Sequence, residues 1–139
     1  MSLRYTDKMT GAEYNELRVS VEWRPITEGQ AERGLAHTTF LVAARDGERI
    51  VGMGRMLFDF GYTAYLGDVI VRPEYQGQGI GRQIVQSLID QTMDAAFAGE
   101  RIMFILGAAQ GKEPFYEKFG FKRRPNEFSG DGMSMWRRK

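Results

Sequence analysis

Residues 68–81 read DVIVRPEYQGQGIG, and this stretch decides the fold. A β-rich run from Tyr62 to Val71 ends at Arg72-Pro73, because proline lacks the N–H that a strand needs for its hydrogen-bond ladder. The glycine-rich turn from Gln76 to Gly81 follows, and an apolar stripe with helical spacing begins at Ile80. A strand, a glycine turn and a helix in that order place free backbone N–H groups and the positive end of a helix dipole where they can hold a phosphate or pyrophosphate.

The glycine pattern alone leaves its ligand undecided. A tight strand-to-helix turn without any ligand would read the same way. No Lys-Ser or Lys-Thr pair follows the turn, which excludes a P-loop, and the spacing of Gly77, Gly79 and Gly81 differs from the Gly-x-Gly-x-x-Gly of dinucleotide-binding folds. The turn is therefore either a phosphate site of another kind or a turn without a ligand.

The apolar stripe predicts a helix of four to five turns after the glycine turn. Its buried face is predicted to comprise Ile80, Ile84, Leu88, Thr92 and Ala96. Gly99-Glu100 ends the helix, and Arg101 to Leu106 forms a short continuous apolar run that is typical of a strand buried on both faces. Two strands joined by such a helix make a βαβ crossover, so this part of the sheet should be parallel.

Two helices are predicted in the N-terminal quarter of the chain. Thr10 followed by Glu13 is a capping-box pattern, so a first helix is expected over residues 11–21. A shorter and more polar helix is expected over residues 28–35, ended by Gly34.

A β-hairpin is predicted between these helices and the glycine turn. Residues 38–44 and 49–58 have the composition of strands, and Asp46-Gly47 between them is a two-residue hairpin signal. This pair should make the first part of the sheet antiparallel.

The C-terminal part predicts one more helix and one or two final strands. Pro114 to Phe119 suits a helix with proline in its first turn, and Gly120 stops it. Strands are expected at Phe121-Lys122 and from Gly132 to Arg137. Met1-Ser2-Leu3 could equally be native residues or a cloning leader, so no element is predicted there. The order predicts an α/β (α+β) fold with a mixed central sheet flanked by about four helices.

Composition limits the classes of function. The 139 residues are 42% hydrophobic, which suits a single domain over residues 1–139. A net charge of +1 provides no field for nucleic acid or an anionic membrane, so neither is expected as a partner. The chain has no cysteine, which excludes disulfides, thiolate metal sites and a cysteine nucleophile. No apolar run reaches the roughly 18 residues of a membrane span and no signal core is present, so a cytoplasmic location is expected.

Two motifs resemble those of the GNAT superfamily of N-acetyltransferases. Residues 68–81 resemble its acetyl-CoA-binding motif, in which a strand ending near Val-x-Pro runs into (Arg/Gln)-x-x-Gly-x-(Gly/Ala). Residues 115–121, which read FYEKFGF, resemble its later motif Phe-Tyr-x-x-x-Gly-Phe. The motifs stand in the right order, separated by one helix and one strand, and together they cover residues 65–121. The resemblance implies a GNAT-type fold, with a mixed central sheet of six to seven strands. It also implies an enzyme that uses acetyl-CoA, without a metal, to acetylate a primary amine by direct attack on the thioester.

The resemblance leaves the acceptor amine unidentified, and a small molecule is favoured over a protein lysine. The family builds its acceptor pocket from the first helices, the loop between them and the last strands. Candidates for lining that pocket are Trp23, Arg24, Phe128, Met133 and Met135, although core residues would look the same. A CoA-binding or interaction module that kept the fold without turnover is the alternative function, and a homodimer is left open.

The resemblance also assigns the contacts with acetyl-CoA. The backbone amides of Gln78 to Arg82 would take the pyrophosphate, and the strand edge from Val69 to Val71 would pair with the pantetheine arm. The full set of expected cofactor-binding residues is Val69, Ile70, Val71, Gln76, Gly77, Gln78, Gly79, Ile80, Gly81, Arg82 and Tyr116. Relatives often carry an asparagine that contacts the pantetheine, and this chain has Ala109 at that position, next to Gln110. The departure removes support for that single contact and leaves the cofactor assignment unchanged.

Two residues are implied for the chemistry. Tyr116 is expected to donate a proton or a hydrogen bond to the CoA sulfur as it departs as a thiolate, although it could equally be an aromatic residue packed on the core. Asp68 is expected to relay a proton from the acceptor, because an amine attacks only when neutral and alkyl amines are mostly protonated at pH 7. Its alternative is a carboxylate that hydrogen-bonds loop backbone. Glu22 and Asp59 are weaker candidates for the base.

The remaining charged groups are interpreted as structural. His37 is the only histidine, and without cysteine or a spaced pair of carboxylates it does not form a metal site. The basic groups Lys122-Arg123-Arg124 and Arg137-Arg138-Lys139 are interpreted as solvated strand ends, since the overall charge is near neutral.

Overall fold

The computed structural model describes residues 1–139. Ten elements follow one another along the chain: β1 (Leu3–Thr6), α1 (Gly11–Ser20), α2 (Glu28–Ala36), β2 (Phe40–Asp46), β3 (Arg49–Phe58), β4 (Thr63–Val71), a single 3₁₀ turn (Pro73–Tyr75), α3 (Ile80–Ala95), β5 (Met103–Ile105) and α4 (Glu113–Glu117). None of the helices has the length and apolarity needed to cross a membrane.

The sheet is mixed, as the sequence predicts. Its five strands lie in the order β1-β2-β3-β4-β5. The pairs from β1 to β4 are antiparallel, and β5 runs parallel to β4 after the α3 crossover. The four α-helices match the expected number, but the six to seven strands predicted are too many.

The predicted final strands are the reason for this difference. Neither Phe121-Lys122 nor Gly132 to Arg137 forms a strand, and every residue from 131 to 139 is exposed. A strand exists only where a neighbouring strand accepts its backbone hydrogen bonds, and this segment has no such neighbour within the chain. By contrast, β1 was not predicted, and it forms because Leu3 to Thr6 pair along β2.

Local signals in the N-terminal half produce the predicted elements with small shifts. The capping box is complete, since Thr10 Oγ1 accepts from Glu13 N at 3.1 Å and Thr10 N donates to Glu13 Oε1 at 3.0 Å. Helix α2 continues through Gly34 to Ala36, so glycine does not end it as predicted. The hairpin turn is centred one residue later than the Asp46-Gly47 signal, because Asp46 pairs with Arg49.

The core lies on both faces of the sheet. One cluster joins α3 to β2, β3 and β4, and the other joins α1 and α2 to the opposite face. Close contact between α3 and β3 depends on Gly54, where an added Cβ would lie 2.6 Å from Ile84 Cγ2 and 3.0 Å from Leu88 Cδ1. This packing holds the N-terminus of α3 beside the end of β4.

Strand β5 is an edge strand and not the fully buried strand that the apolar run from Arg101 to Leu106 predicts. It has three residues, and the side chain of Met103 is 44% exposed. It pairs with β4 on one side only. The short pairing leaves most of β4 without a neighbour on that side.

Candidate active site

A long cleft opens where β4 and β5 part. The two strands pair only from Thr63 to Tyr65 of β4, so the edge from Leu66 to Val71 has no strand partner on the β5 side. The cleft there has a volume of about 1200 Å³ and is bounded on its far side by residues 106–110, which follow β5. Pockets for drug-sized ligands are typically about 300–1,000 Å³, so this cleft suits a larger, elongated ligand.

A β-bulge shapes β4 in the middle of the cleft. Met53 pairs with Ile70 and Arg55 pairs with Gly67, so two β4 residues lie opposite one residue of β3. The extra residue falls at Asp68, whose φ of 51° lies in the left-handed region. A bulge bends its strand and redirects a side chain, and it brings the Asp68 carboxyl group to the wall of the cleft.

The glycine turn forms one end of the cleft. Gly77 and Gly79 have φ values of 78° and 85°, a backbone conformation that residues with a Cβ atom rarely adopt. The first hydrogen bond of α3 runs from Gln83 N to Gly79 O at 3.0 Å, so the N–H groups before Gln83 have no acceptor within the helix. Gln76 Nε2 donates to Val71 O at 2.9 Å and thereby ties the turn to β4.

The cleft contains nearly all of the predicted cofactor-binding residues. Those that line it are Val69, Ile70, Val71, Gln76, Gly77, Gly79, Ile80, Gly81, Arg82 and Tyr116. Gln78 is exposed and does not line the cleft. The side chain of Ile80 is buried in the core, so only its backbone can contact a ligand. Ala109 and Gln110, where the family pattern is broken, also line the cleft.

Three cationic side chains line the cleft. Arg82, Lys112 and Lys118 all line the cleft, and the sequence had singled out only the first of them. Together with the free N–H groups of α3, these cations suit a ligand with several phosphates. The structure contains no group of three or more histidine, cysteine, aspartate or glutamate side chains that could hold a metal ion.

Tyr116 lies on α4 with its ring packed among other aromatic rings. It makes edge-to-face contacts with Phe115 and Phe121, at centroid distances of 5.0 and 6.1 Å. Burial, and to a smaller extent the nearby Tyr65 phenol, raises the pKa of Tyr116 to about 12. The phenol therefore keeps its proton at neutral pH and can donate it into the cleft.

Asp68 is held by side chains from two neighbouring elements. Its Oδ2 accepts from Tyr14 Oη at 2.7 Å and from Arg55 Nε at 2.6 Å, and Arg18 Nη1 lies 3.7 Å from Oδ1. Burial, followed by the charge of Asp68, raises the pKa of Tyr14, so this phenol stays a hydrogen-bond donor. The alternative interpretation of Asp68 was a carboxylate that hydrogen-bonds loop backbone. The partners observed for Asp68 are side chains instead.

The end of α1 and the start of the connection to α2 also line the cleft. They contribute Ser20, Val21, Glu22 and Trp23. Glu22 has a φ of 64°, an unusual value for a residue other than glycine, and it is exposed without an ion pair. This conformation belongs to the Schellman motif that ends α1, in which Trp23 N donates to Arg18 O at 2.9 Å and Glu22 N donates to Val19 O at 3.0 Å.

Most of the other predicted acceptor and base candidates lie elsewhere. Arg24, Phe128, Met133 and Met135 do not line the cleft, and neither does Asp59. His37 follows α2, and its Nδ1 lies 2.8 Å from Arg33 O, in keeping with the structural role expected for it.

Three residues in the cleft or in contact with Asp68 could not be found from sequence reasoning. Tyr65 lies where β4 and β5 part, and Tyr14 and Arg55 bind Asp68 from α1 and β3. The only sequence signal for Tyr14 and Arg55 is that each places a polar group on the predicted buried face of its helix or strand. This signal does not predict that Asp68 is the group they contact.

Comparison with known proteins agrees with this geometry. An uncharacterized N-acetyltransferase of Porphyra purpurea, ycf52, is 29% identical over 124 residues, covering 85% of this chain and 68% of that protein. The crystal structure of a Staphylococcus aureus protein of unknown function, described as a probable acetyltransferase, is 29% identical with a TM-score of 0.86 and covers 97% of this chain and 99% of the other. Thialysine N-epsilon-acetyltransferase of Bos taurus is 38% identical over 52 residues, covering 34% of this chain and 31% of that protein.

The family model for the acetyltransferase (GNAT) domain matches residues 12–137. This match spans both of the motifs quoted from the sequence and the whole of the cleft. The protein is therefore a GNAT-family acetyltransferase.

Proposed function

We propose that the chain transfers an acetyl group from acetyl-CoA to the primary amine of a small molecule within the cleft beside β4. The observation that carries this proposal is the meeting of three features in one cleft. These are an unpaired strand edge, a helix N-terminus with free N–H groups, and a protonated phenol. Each feature matches a different part of acetyl-CoA, the acetyl donor.

The cleft residues fit acetyl-CoA from one end to the other. The pyrophosphate would lie on the N–H groups of Gly81 and Arg82, where the positive end of α3 and the charges of Arg82, Lys112 and Lys118 favour an anion. The pantetheine arm carries amide groups, which would hydrogen-bond the free edge from Val69 to Val71 as an added strand would. Bound in this way, acetyl-CoA supplies the activated acetyl group.

Tyr116 would act as the proton donor to the departing sulfur. Its raised pKa keeps the hydroxyl protonated, and no hydrogen bond within the chain competes for that proton. The bond that breaks is the thioester C–S bond, and the bond that forms joins the acetyl carbon to the amine nitrogen. The proton from Tyr116 ends on the sulfur, and the proton that the amine nitrogen loses returns through solvent to the Tyr116 phenolate.

Asp68 would assist the acceptor at the bulge. Its Oδ2 is already used by Tyr14 and Arg55, whereas Oδ1 has only Arg18 at the longer distance of 3.7 Å. Oδ1 is therefore the atom that could accept a hydrogen bond from an incoming amine and help remove its proton. The guanidinium groups would keep the carboxylate oriented toward the cleft.

Glu22 would select the charge of the acceptor. Glu22 and Asp68 are the two carboxylates that line the cleft, and only Glu22 is without an ion pair. A free carboxylate on the α1–α2 connection favours an acceptor with a second cationic group. The name of the bovine relative, which acts on thialysine, is consistent with a small amino compound as the acceptor.

The test is acetylation of a panel of amines, measured as release of free CoA thiol. The panel should contain diamines, amino acids including thialysine, aminosugars and a lysine-containing peptide. Turnover of one small amine class supports the proposal, and diamines should exceed their monoamine analogues. Turnover of the peptide alone would refute the small-molecule acceptor, and acetyl-CoA binding without any turnover would favour the non-catalytic alternative.

A further inference from the structure

A second pocket, called here the α2 pocket, has a volume of about 160 Å³ and lies among α1, α2 and β3, without sharing a lining residue with the cleft. This is the volume of about five waters, so the α2 pocket admits one small organic molecule and excludes a nucleotide. Its polar lining residues are Tyr14, Gln30 and Arg55, and its apolar ones are Ile26, Ala31 and Leu35. Tyr14 and Arg55 also hydrogen-bond Asp68, which links the α2 pocket to the proposed active site.

The ion pairs around Asp68 leave one positive charge in excess. Arg55 Nε lies 2.6 Å from Asp68 Oδ2, and Arg18 Nη1 lies 3.7 Å from Oδ1. Neither guanidinium group has another ion pair, so two cations share one carboxylate. The three side chains are only 15–23% exposed, and solvent therefore screens the excess charge incompletely. A bound monoanion would neutralise it.

One nitrogen of Arg55 is available to bind such an anion. Its Nε is used by Asp68, and its Nη1 donates to Thr38 Oγ1 at 3.2 Å and to Gly34 O at 3.5 Å. Its Nη2 makes no hydrogen bond within the chain. Since no fully buried polar side-chain atom lacks a partner, Nη2 is open to solvent. The side-chain amide of Gln30 also has no partner in the chain, so the α2 pocket offers two sets of N–H donors.

The apolar walls of the α2 pocket select the kind of anion. Phosphate and sulfate carry oxygens on every side, and the oxygens that faced Ile26, Ala31 and Leu35 would have no donor. A short-chain monocarboxylate has a planar charged end that a guanidinium group and an amide can bind, and an apolar end for these three side chains. Its single negative charge also equals the positive charge in excess around Asp68.

From these observations we infer that the α2 pocket is a binding site for a small monocarboxylate, held by Nη2 of Arg55 and the amide of Gln30. Two sources share this chemistry: a free short-chain acid, and the carboxylate of the acceptor where the acceptor is an amino acid. The bound anion would draw the guanidinium group of Arg55 away from Asp68. Asp68 would then be a better hydrogen-bond acceptor for the incoming amine, and this last step rests on the proposed function.

Binding is tested by NMR titration of the full chain with sodium propionate at constant ionic strength. The Nε–H signal of Arg55 and the backbone N–H signals of residues 30–35 should shift and saturate in the millimolar range. Propionate should bind about fourfold more tightly than acetate, because it buries one more methylene group. Sodium chloride should give no saturable shift. The absence of saturation with propionate, or equal Kd values for acetate and propionate, would overturn the inference.

Two glycines of α2, neither with a left-handed backbone, provide a matched pair of variants. A Cβ at Gly34 would lie 3.8 Å from Arg55 Nη1, so Gly34→Leu should fill the α2 pocket and weaken propionate binding about tenfold or more. Gly29→Leu, outside the pocket, should bind as the parent does. Equal Kd values for the two folded variants would overturn the site. If Gly34→Leu loses its circular dichroism, Gln30→Leu decides: a Kd weakened about fivefold supports the site, and an unchanged Kd overturns it.

Thiol-release assays distinguish the two sources and test the link to activity. With cadaverine, a diamine without a carboxylate, propionate should raise kcat/KM about fivefold, the equivalent of one hydrogen bond to Asp68 given up by Arg55. The same rise with lysine would identify the free acid as the ligand. A KM for lysine that increases with propionate concentration would identify the carboxylate of the acceptor.

The two proposals fail separately. Saturable propionate binding without any effect on either acceptor would leave the site intact and overturn its link to Asp68. Saturable propionate binding in a protein that acetylates no amine would refute the proposed function alone. Acetylation of cadaverine and lysine without saturable propionate binding would overturn the α2 pocket as a carboxylate site and leave the proposed function intact.

Discussion

Replacing Tyr116 by phenylalanine isolates one hydroxyl group of the proposed site. The ring remains, so the edge-to-face contacts with Phe115 and Phe121 should persist and CoA affinity should change little. The hydroxyl makes no hydrogen bond within the chain, so its removal leaves no buried polar partner unsatisfied. A loss of rate in Tyr116→Phe therefore reports on the chemistry of the phenol and not on folding.

The expected loss in kcat is about 100-fold. General acid assistance is typically worth about 10²–10⁴-fold, and the lower end applies because a thiolate is already a fair leaving group. A factor of 100 corresponds to about 2.7 kcal/mol of activation free energy. Because burial and Tyr65 raise the pKa of Tyr116 to about 12, the parent phenol stays protonated from pH 7 to 10. The deficit of the variant should therefore be constant across that range.

Single-turnover thiol release gives the rate, and calorimetry gives the Kd for CoA. The matched control is Tyr65→Phe, which removes the other phenol near Tyr116 in the cleft. An unchanged rate in Tyr116→Phe would remove the proton-donor assignment, and a loss confined to Tyr65→Phe would transfer it. A tenfold weaker Kd with unchanged kcat would mean that Tyr116 only holds the cofactor.

The raised pKa of Tyr116 also predicts a stability difference at alkaline pH. Above pH 10 the unfolded phenol loses its proton while the folded one keeps it until about pH 12. The folded state then binds more protons, so the free energy of unfolding falls as the pH rises through this window. Urea midpoints measured at pH 9 and pH 11.5 should fall less in Tyr116→Phe than in the parent. An equal fall would contradict the burial of the phenol.

Four further predictions concern the walls of the cleft. Gly79→Leu should abolish CoA binding, whereas Gly99→Leu should bind CoA as the parent does, because Gly99 is a left-handed glycine outside the cleft. Equal Kd values for the two variants in calorimetry would mean that the phosphate site is misplaced. Asp68→Asn should lose more activity at pH 7 than at pH 9, because more of the acceptor is neutral at the higher pH, and an equal loss at both would assign it an orienting role only. Glu22→Gln should raise the KM for a diamine and leave that for its monoamine analogue unchanged; the same shift for both would exclude charge selection. Gly54→Ala should destabilise the fold by about 1–3 kcal/mol in urea titrations, because α3 must move away from the added methyl group, and an unchanged midpoint would show that it moves freely.

Sequence reasoning performed best where the determinants are local. The capping box of Thr10 and Glu13 and the stop at Arg72-Pro73 act through atoms a few residues apart, so their elements form as predicted. The glycine turn and α3 follow the same rule, and their order led to the family and to the residues proposed to bind the cofactor. The β-rich composition of residues 38–44, 49–58 and 62–71, bounded by turn signals, predicted β2, β3 and β4.

Only the tertiary structure decided which of these segments meet. The tail from Gly132 to Arg137 has a strand pattern without a partner in its own chain, whereas β1 became a strand because β2 offers it an edge. The bulge that turns Asp68 toward the cleft depends on the register of β3 against β4, and its partners Tyr14 and Arg55 lie 54 and 13 residues away in sequence. A residue's own type determines what it can donate, accept or bury. Which distant group it contacts depends on how the whole chain packs, and no local pattern encodes that.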